Sequence, residues 1–424
     1  MSSWLALGAA LLGVTLSVHD PTVLVVGLDG ADWRVLRPLF EAGHLPHLEK
    51  LVRKGTHADL DCVPAYPDLA CYCPPVWTSI ATGQPFKRHR IATATDPSGR
   101  RQVAALWDVN HDAGGLTNLV SVRGTWPPES SAEYVLTEPG LDVAAGELMD
   151  RWWPPQHPGI DRPDTHTAPV GILQTLGLLP YTGVRLPAWQ MFARDRVAMR
   201  AFDRIARLQK LFRRQGRWPR WRSSRRLQAT PHETGAANLT LLVLHGIDRA
   251  QHMGWNQVQA GVNDAIDADA IVALAGAWQG PVFDPPPWGW GSVASQYLEA
   301  DAWIGRHLAR NRYDYVVLVS DHGMSRNRSA RGVPGDHGPS APEAHLGILS
   351  IQGRGVRANA RIETASVLDV APTVAYLLGL PVADDLPGRV LEEAFTGSWL
   401  RRHPPRTTPS WAPTHSVPRG GTLP

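Results

Sequence analysis

Three near-continuous apolar runs set the architecture of this chain: Val23 to Leu28, Leu239 to Leu244 and Tyr315 to Val319. They are rich in leucine and β-branched residues and do not alternate with polar positions. Each therefore predicts a strand covered on both faces, as in a parallel sheet flanked by helices. After the first run the spacing turns helical. Val35 and Leu39 share one face; Leu48, Leu51 and Val52 continue the period until Gly55, which predicts the helix end. A Pro- and Cys-rich loop from Cys62 to Pro75 follows, then an apolar segment from Val76 to Ala81. A loop between strand and helix is where a nucleophile is expected. The fold class implied is α/β, a mostly parallel central sheet with helices on both faces.

From Pro127 to Thr230 the pattern weakens, and tryptophan and proline become frequent. The clear periodicity there is Phe202, Ile205, Leu208, Leu211 and Phe212, one face of a helix whose other face is arginine-rich. Arg213, Arg214, Arg217, Arg220, Arg222, Arg225 and Arg226 extend that charge. This predicts an exposed cap or insertion. Its basic face is read as solvated, with contact to an anionic substrate or membrane surface as the alternative. A second α/β block runs from Asn238 to Phe395, interrupted by a Trp- and Pro-rich stretch around Trp278, Trp288 and Trp290. The expected division is an N-terminal extension or leader over 1–20, core over 21–126, insertion over 127–230, core over 231–395, and a disordered tail over 396–424.

Composition narrows the function classes. With 424 residues, 43% of them hydrophobic, the chain can bury a large core as one domain or two. A net charge of +3 gives no basis for specific nucleic-acid binding. The apolar stretch Trp4 to Val18 is too short to span a bilayer and lacks a preceding Lys or Arg, so export through a cleaved leader and an N-terminal core segment both stay open. Membrane association is not fixed by these features. Cys62, Cys71 and Cys73 are odd in number, so they cannot all pair internally.

Ligands in open parallel sheets sit beyond the carboxyl ends of the strands, and all three apolar runs end at or near an acid. Asp29 lies between Leu28 and Gly30; Asp248 and His252 are spaced to share one helix face; Asp321 and His322 adjoin Gly323. Oxygen and imidazole ligands from three strand ends predict a hydrolytic site holding two divalent cations, with zinc best suited to mixed Asp and His ligation. Either His337 or His345 completes the set.

These elements, in this order, resemble the alkaline phosphatase superfamily, in particular its type I phosphodiesterase and nucleotide pyrophosphatase branch. The matching stretches are Val25 to Gly30, Pro74 to Gly83, Ile247 to His252, Ser320 to Gly323 and Asp369 to Pro381. The resemblance implies an alkaline phosphatase-like fold with a cap insertion and two divalent ions, usually zinc. One ion would be held by Asp248, His252 and His337, with His345 as the fallback. The other would be held by Asp29, Asp321, His322 and the nucleophile. It also implies a small-molecule phosphate ester as substrate and a covalent intermediate.

The nucleophile departs from the family pattern. The attacking Ser or Thr of such proteins lies ten residues before the glycine of a Thr-Gly pair, and that count from Gly83 falls on Cys73 rather than on Thr78. A thiol beside a divalent cation deprotonates readily and can be both ligand and nucleophile. Sulfatases and phosphonate monoester hydrolases of the same superfamily convert a cysteine at this place to formylglycine within Cys-x-Pro-x-Arg. Here Trp77 replaces the arginine. Three readings result: a metal-dependent phosphodiesterase or pyrophosphatase, a sulfatase or phosphonate hydrolase with modified Cys73, and a noncatalytic metal-binding homologue that binds an organic phosphate. Arg90 replaces the glycine usual in His-Gly-Ile, which is expected to alter a turn. Asn110, Arg123 and Gly124 to Pro128 receive no catalytic role.

Overall fold

The three apolar runs form three adjacent parallel strands at the centre of a sheet, with the bounds the sequence pattern predicts. The computed structural model describes residues 21–65, 71–93, 96–129, 131–137, 152–153, 188–215, 237–258, 292–326, 335–338 and 341–411. The main sheet comprises β1 (Val23–Leu28), β2 (Thr56–Asp61), β3 (Thr117–Val120), β4 (Tyr134–Leu136), β5 (Trp152–Trp153), β6 (Leu239–Leu244), β7 (Tyr315–Val319), β10 (Leu346–Gly353) and β11 (Ala360–Ser366). Two short pairs accompany it: β8 (Ser325–Arg326) with β9 (Gly335–Asp336), and β12 (Val382–Ala383) with β13 (Thr407–Thr408). The main order is β11-β2-β10-β7-β1-β6-β3-β4-β5. Strands β7, β1, β6, β3 and β4 are parallel, and β10 runs antiparallel to both β7 and β2.

Helices cover both faces, which is why the central strands carry no polar alternation. They are α1 (Trp33–Glu41), α2 (Pro46–Lys54), α3 (Cys73–Thr82), α4 (Phe86–His89), α5 (Leu106–Asp112), α6 (Ala188–Gln215), α7 (Gly246–Val258), α8 (Ser292–Arg310), α9 (Val370–Leu377) and α10 (Gly397–Arg402). Val25, Val243 and Val319 join the core beneath α3, α5 and α9. Val26, Leu244 and Leu318 join the opposite core, under α1, α2, α6, α7 and α8. The two faces therefore take alternate residues of each strand.

Two expectations need correction. Helix α6, read as part of an exposed cap, packs directly on the core: Ala198, Met199, Phe202 and Ile205 are buried among residues of the main sheet and α8. Only its other face, with Arg200, Arg204, Arg207 and Lys210, is exposed. The side chains of Leu208, Leu211, Phe212, Arg213 and Arg214 lie outside the described residues, as do Arg217 to Arg226 and Trp278 to Trp290. The tail is also ordered further than its composition suggests. β13 pairs with β12, Tyr376 donates to the His403 carbonyl at 2.7 Å, and buried Trp411 donates its indole N–H to Pro381 at 2.9 Å. One strand pairing, one tyrosine hydroxyl and one indole anchor a segment whose proline and arginine content reads as disorder. Among the described residues, no helix is long and apolar enough to cross a membrane.

The turn after α4 keeps the shape a glycine would give it, although arginine occupies it. Arg90 has φ 68° and ψ 10°, and its N–H closes the turn on Phe86 O at 2.9 Å. The left-handed region costs a β-carbon-bearing residue about 1 kcal/mol, and the Arg90 side chain is exposed. Arg90→Gly is expected to raise unfolding free energy by up to about 1 kcal/mol, read as a higher urea midpoint with an unchanged slope.

Candidate metal centre and nucleophile

Strand register delivers the first residues of the site. Gly27 of β1 pairs with Val243 of β6 and with Val319 of β7, so these three share one row across the sheet. Two positions further on stand Asp29, His245 and Asp321, on the face of the sheet that α3 covers. The Asp29 N–H still bonds the Leu244 carbonyl at 2.9 Å, so the register persists past the strand end. Gly27 has no side chain because Trp77 of α3 lies over it; a Cβ there would come 2.5 Å from the indole ring. Gly30 has φ +74°, and a Cβ on it would meet the Asp248 backbone at 2.9 Å. That close approach brings the end of β1 against α7.

Helix α7 carries Asp248 in its first turn and His252 one turn later. Helix α3 begins at Cys73, followed by Pro74 and Pro75. Prolines suit the first turn because their missing N–H groups have no intrahelical partner there. The sulfur thus sits at the positive end of a helix dipole, pointing to the strand ends. Cys62 and Cys71 form a disulfide, and Cys73 is a free, buried thiol. The hydroxyls along α3 are engaged elsewhere: Thr78 bonds the Pro74 carbonyl at 2.9 Å, and Ser79 meets His89 Nε2 at 3.1 Å.

The side chains converge on the sulfur. Cys73 Sγ lies 3.1 Å from His322 Nε2 and 3.9 Å from His337 Nε2. His322 Nε2 is 3.3 Å from Asp321 Oδ2 and 3.6 Å from Asp29 Oδ1. On the other side, Asp248 Oδ1 lies 3.4 Å from His252 Nε2 and 3.6 Å from His337 Nε2, and the two imidazole nitrogens are 3.1 Å apart. The remaining ring nitrogens donate to carbonyls: His322 Nδ1 to Gly323, His337 Nδ1 to Cys71 and His252 Nδ1 to Gly335, at 2.7, 3.1 and 2.9 Å. Each Nε2 therefore turns a lone pair inward, as metal-ligating imidazoles do. Cys73, Asp248, His322 and His337 form one group able to hold an ion, and Asp29, Cys73, Asp321 and His322 form another.

Asp29 Oδ1, Asp248 Oδ1 and Asp321 Oδ2 are buried and accept no hydrogen bond. Such orphaned oxygens are rare in folded proteins, and three facing one cluster fit the donor set of a divalent-metal site. Electrostatics agree. Burial, then repulsion from Asp29, holds the Asp321 carboxyl well above its ordinary range. Burial also raises Asp29, but the His245 hydrogen bond and the charges of His245, Arg123 and His322 outweigh it and keep Asp29 well below that range. Burial, reinforced by Asp29, Asp248 and Asp321, drives the Cys73 thiol up despite the helix dipole. Burial and the neighbouring His322 push His337 down to about 3, leaving it neutral.

All seven predicted site residues thus meet: Asp29, Cys73, Asp248, His252, Asp321, His322 and His337. His345 does not join them. Its backbone carbonyl accepts from Cys62 N at 3.2 Å. Two further residues belong to the cluster. His245 Nδ1 bonds Asp29 Oδ2, and Arg123 Nη2 reaches the same oxygen at 3.3 Å. Arg123, left without a role by the sequence reading, faces the site; Asn110 instead serves packing, bonding Thr117 and Asn238 at 2.9 and 3.0 Å. Sequence carried one signal for His245, its place directly after β6 opposite Asp29.

No curated protein matches the chain by sequence. Among solved structures, an inactive variant of murine ectonucleotide pyrophosphatase/phosphodiesterase 5 in complex with AMP is similar at 13% identity, covering 89% of this chain and 100% of that one, with a TM-score of 0.47. The phosphonate monoester hydrolase of Silicibacter pomeroyi is similar at 16% identity over 89% of this chain and 77% of that one, with a TM-score of 0.43. The type I phosphodiesterase/nucleotide pyrophosphatase family matches residues 23–363. With most of its length matched, this chain belongs to the type I phosphodiesterase/nucleotide pyrophosphatase family.

Proposed function

We propose that the chain is a metal-dependent hydrolase of phosphate esters, a phosphodiesterase or pyrophosphatase acting on a small molecule with Cys73 as nucleophile. The observation that carries this is the set of three orphaned carboxylate oxygens around one buried sulfur. On this reading Asp248, His252 and His337 hold one divalent ion, and Asp29, Asp321, His322 and Cys73 hold a second. Zinc suits this mix of oxygen, nitrogen and sulfur donors. Bound there, the ions would supply the positive charge that favours the thiolate and stabilises the phosphoryl oxygens and the departing oxygen.

The chain's own part is positional. Helix α3 aims the sulfur, which attacks phosphorus as the bond to the leaving oxygen breaks. Water then cleaves the sulfur–phosphorus bond and restores the thiolate. Two displacements return phosphorus to its original configuration. His252, with a side chain 32% exposed against 0% for His322, marks the open side through which an ester can enter. Formylglycine at position 73 is the less favoured reading. Trp77, where the modification signature carries arginine, is buried over Gly27, a packing place that a guanidinium would not fill. The Cys62–Cys71 disulfide favours an oxidising compartment and so supports export.

Purified protein is expected to hydrolyse bis-p-nitrophenyl phosphate, to stop with EDTA and to recover with zinc; turnover unaffected by chelation sinks the reading. Cys73→Ala should lower kcat at least about 10³-fold, whereas Cys73→Ser, which supplies the hydroxyl of the family pattern, should retain turnover. A Cys73→Ala variant as active as the wild type removes Cys73 from the chemistry. Intact mass of the peptide holding Cys73 should show unmodified cysteine, and the lower mass of formylglycine points to the sulfatase-like route.

The raised Asp321 and Cys73 groups give a signed pH prediction. A carboxyl raised in the folded state adds stability fully present below its unfolded value and lost as pH rises through its folded value. Metal-free protein should therefore lose stability as pH rises above the ordinary carboxyl range, and Asp321→Asn should flatten that loss. Zinc uptake near pH 7 should release protons into a weakly buffered solution. Cys73→Ala, which lacks the raised thiol, should release fewer, and an equal release from both proteins contradicts the assignment.

A further inference from the structure

The connection after β3 holds a buried serine in a conformation serine rarely adopts. Ser121 has φ 59°, and Gly124 three residues later has φ 73°. A buried left-handed residue persists only where its surroundings require it. The requirement here is visible: the Ser121 carbonyl faces His245 Nε2 at 2.9 Å. A carbonyl and a carboxylate both only accept, so each ring nitrogen donates: Nε2 to the Ser121 carbonyl and Nδ1 to Asp29 Oδ2.

His245 is fixed on further sides. Its backbone N–H donates to Asp195 of α6 at 3.1 Å, and its ring meets Trp77 edge-on with centroids 6.4 Å apart. It is fully buried. The consequence falls on Asp29. Oδ2 is occupied by His245 and by Arg123, whereas Oδ1 accepts no hydrogen bond and lies 3.6 Å from His322 Nε2.

We propose that His245 is a positioning residue for Asp29: by taking Oδ2 it presents Oδ1 alone to the ion assigned to Asp29, Asp321, His322 and Cys73, with the Ser121 carbonyl setting the ring. This rests on the metal reading above and adds a residue to it. Partners that orient a ligand in this way change metal affinity by about 10–100-fold when removed. A residue that merely fills space would not discriminate between the two ions.

The test is titration of metal-free wild type, His245→Phe and His245→Asn with cobalt(II). The thiolate-to-cobalt absorption reports the ion beside Cys73, and elemental analysis reports total uptake. His245→Phe keeps a ring but loses both hydrogen bonds. It should bind the Cys73-linked ion about 10–100-fold more weakly, with the ion at Asp248, His252 and His337 little changed. His245→Asn, whose amide can still donate to Oδ2, should recover most of the affinity. If His245→Phe fails to fold, His245→Gln carries the same expectation, since its amide reaches toward Ser121 and vacates the Nδ1 position. Wild-type cobalt affinity in the folded Phe or Gln variant, or equal weakening of both ions, overturns the proposal and leaves the metal reading standing. A wild-type chain that takes up no cobalt overturns both.

Discussion

The constraint on which this structure turns is charge. Three carboxylates, Asp29, Asp248 and Asp321, are buried around one thiol, and among the described residues Arg123 brings a permanent positive charge to them, bonding Asp29. Removing a carboxylate from water costs several kcal/mol unless it is paired. Asp29 has its pair in Arg123 and His245; burial, then repulsion from Asp29, drives the Asp321 carboxyl upward. Folding alone gives no reason to gather these groups. On the proposed reading a divalent cation would, because its charge would be the missing partner and its coordination shell would take the oxygens that accept no hydrogen bond.

The scaffold meets this demand through register and capping. Because β1, β6 and β7 are parallel and aligned, their carboxyl ends present Asp29, His245 and Asp321 on one face in one row. The helix that adds Asp248 and His252 must start close by, with its first N–H groups satisfied. Asp195, on α6, does this from a distance, accepting from His245 N at 3.1 Å and Gly246 N at 2.7 Å. Burial raises the Asp195 carboxyl, and Arg249 and these N–H groups offset it. A helix from the region read as an insertion thereby caps the helix bearing two of the site residues.

The sequence made the parts nearest the sheet axis legible. Strands β1, β6 and β7 have the bounds their apolar runs predict, since strands covered on both faces leave an unbroken hydrophobic signal. Strand β2 left none: its Thr-His-Ala-Asp-Leu-Asp alternates buried and half-buried positions near the sheet edge, where charge is tolerated. Metal-ligand types stood out because strand-end Asp and paired Asp-His are specific in combination. His245 and Arg123 did not, because their roles depend on a carboxylate that is distant in sequence and on a turn bent by Ser121 and Gly124. The ordered stretch to Trp411 was hidden for the opposite reason: a few backbone pairings hold it, and composition does not register them.

Cysteine in place of the family's hydroxyl changes more than nucleophilicity. The sulfur belongs to both candidate ligand groups, as does His322. A carboxylate and hydroxyl set at Asp29 and Asp321 would suit hard ions such as magnesium or manganese as well as zinc. A thiolate beside Asp29 and Asp321 shifts that preference toward borderline-soft ions. The same sulfur is harder to ionise here than in water, because burial and three acids oppose the charge that the start of α3 favours. Deprotonation and metal uptake are therefore one coupled event on the proposed reading. That coupling makes the cation a condition for having a nucleophile at all, where a serine or threonine would need it chiefly to ease the reaction.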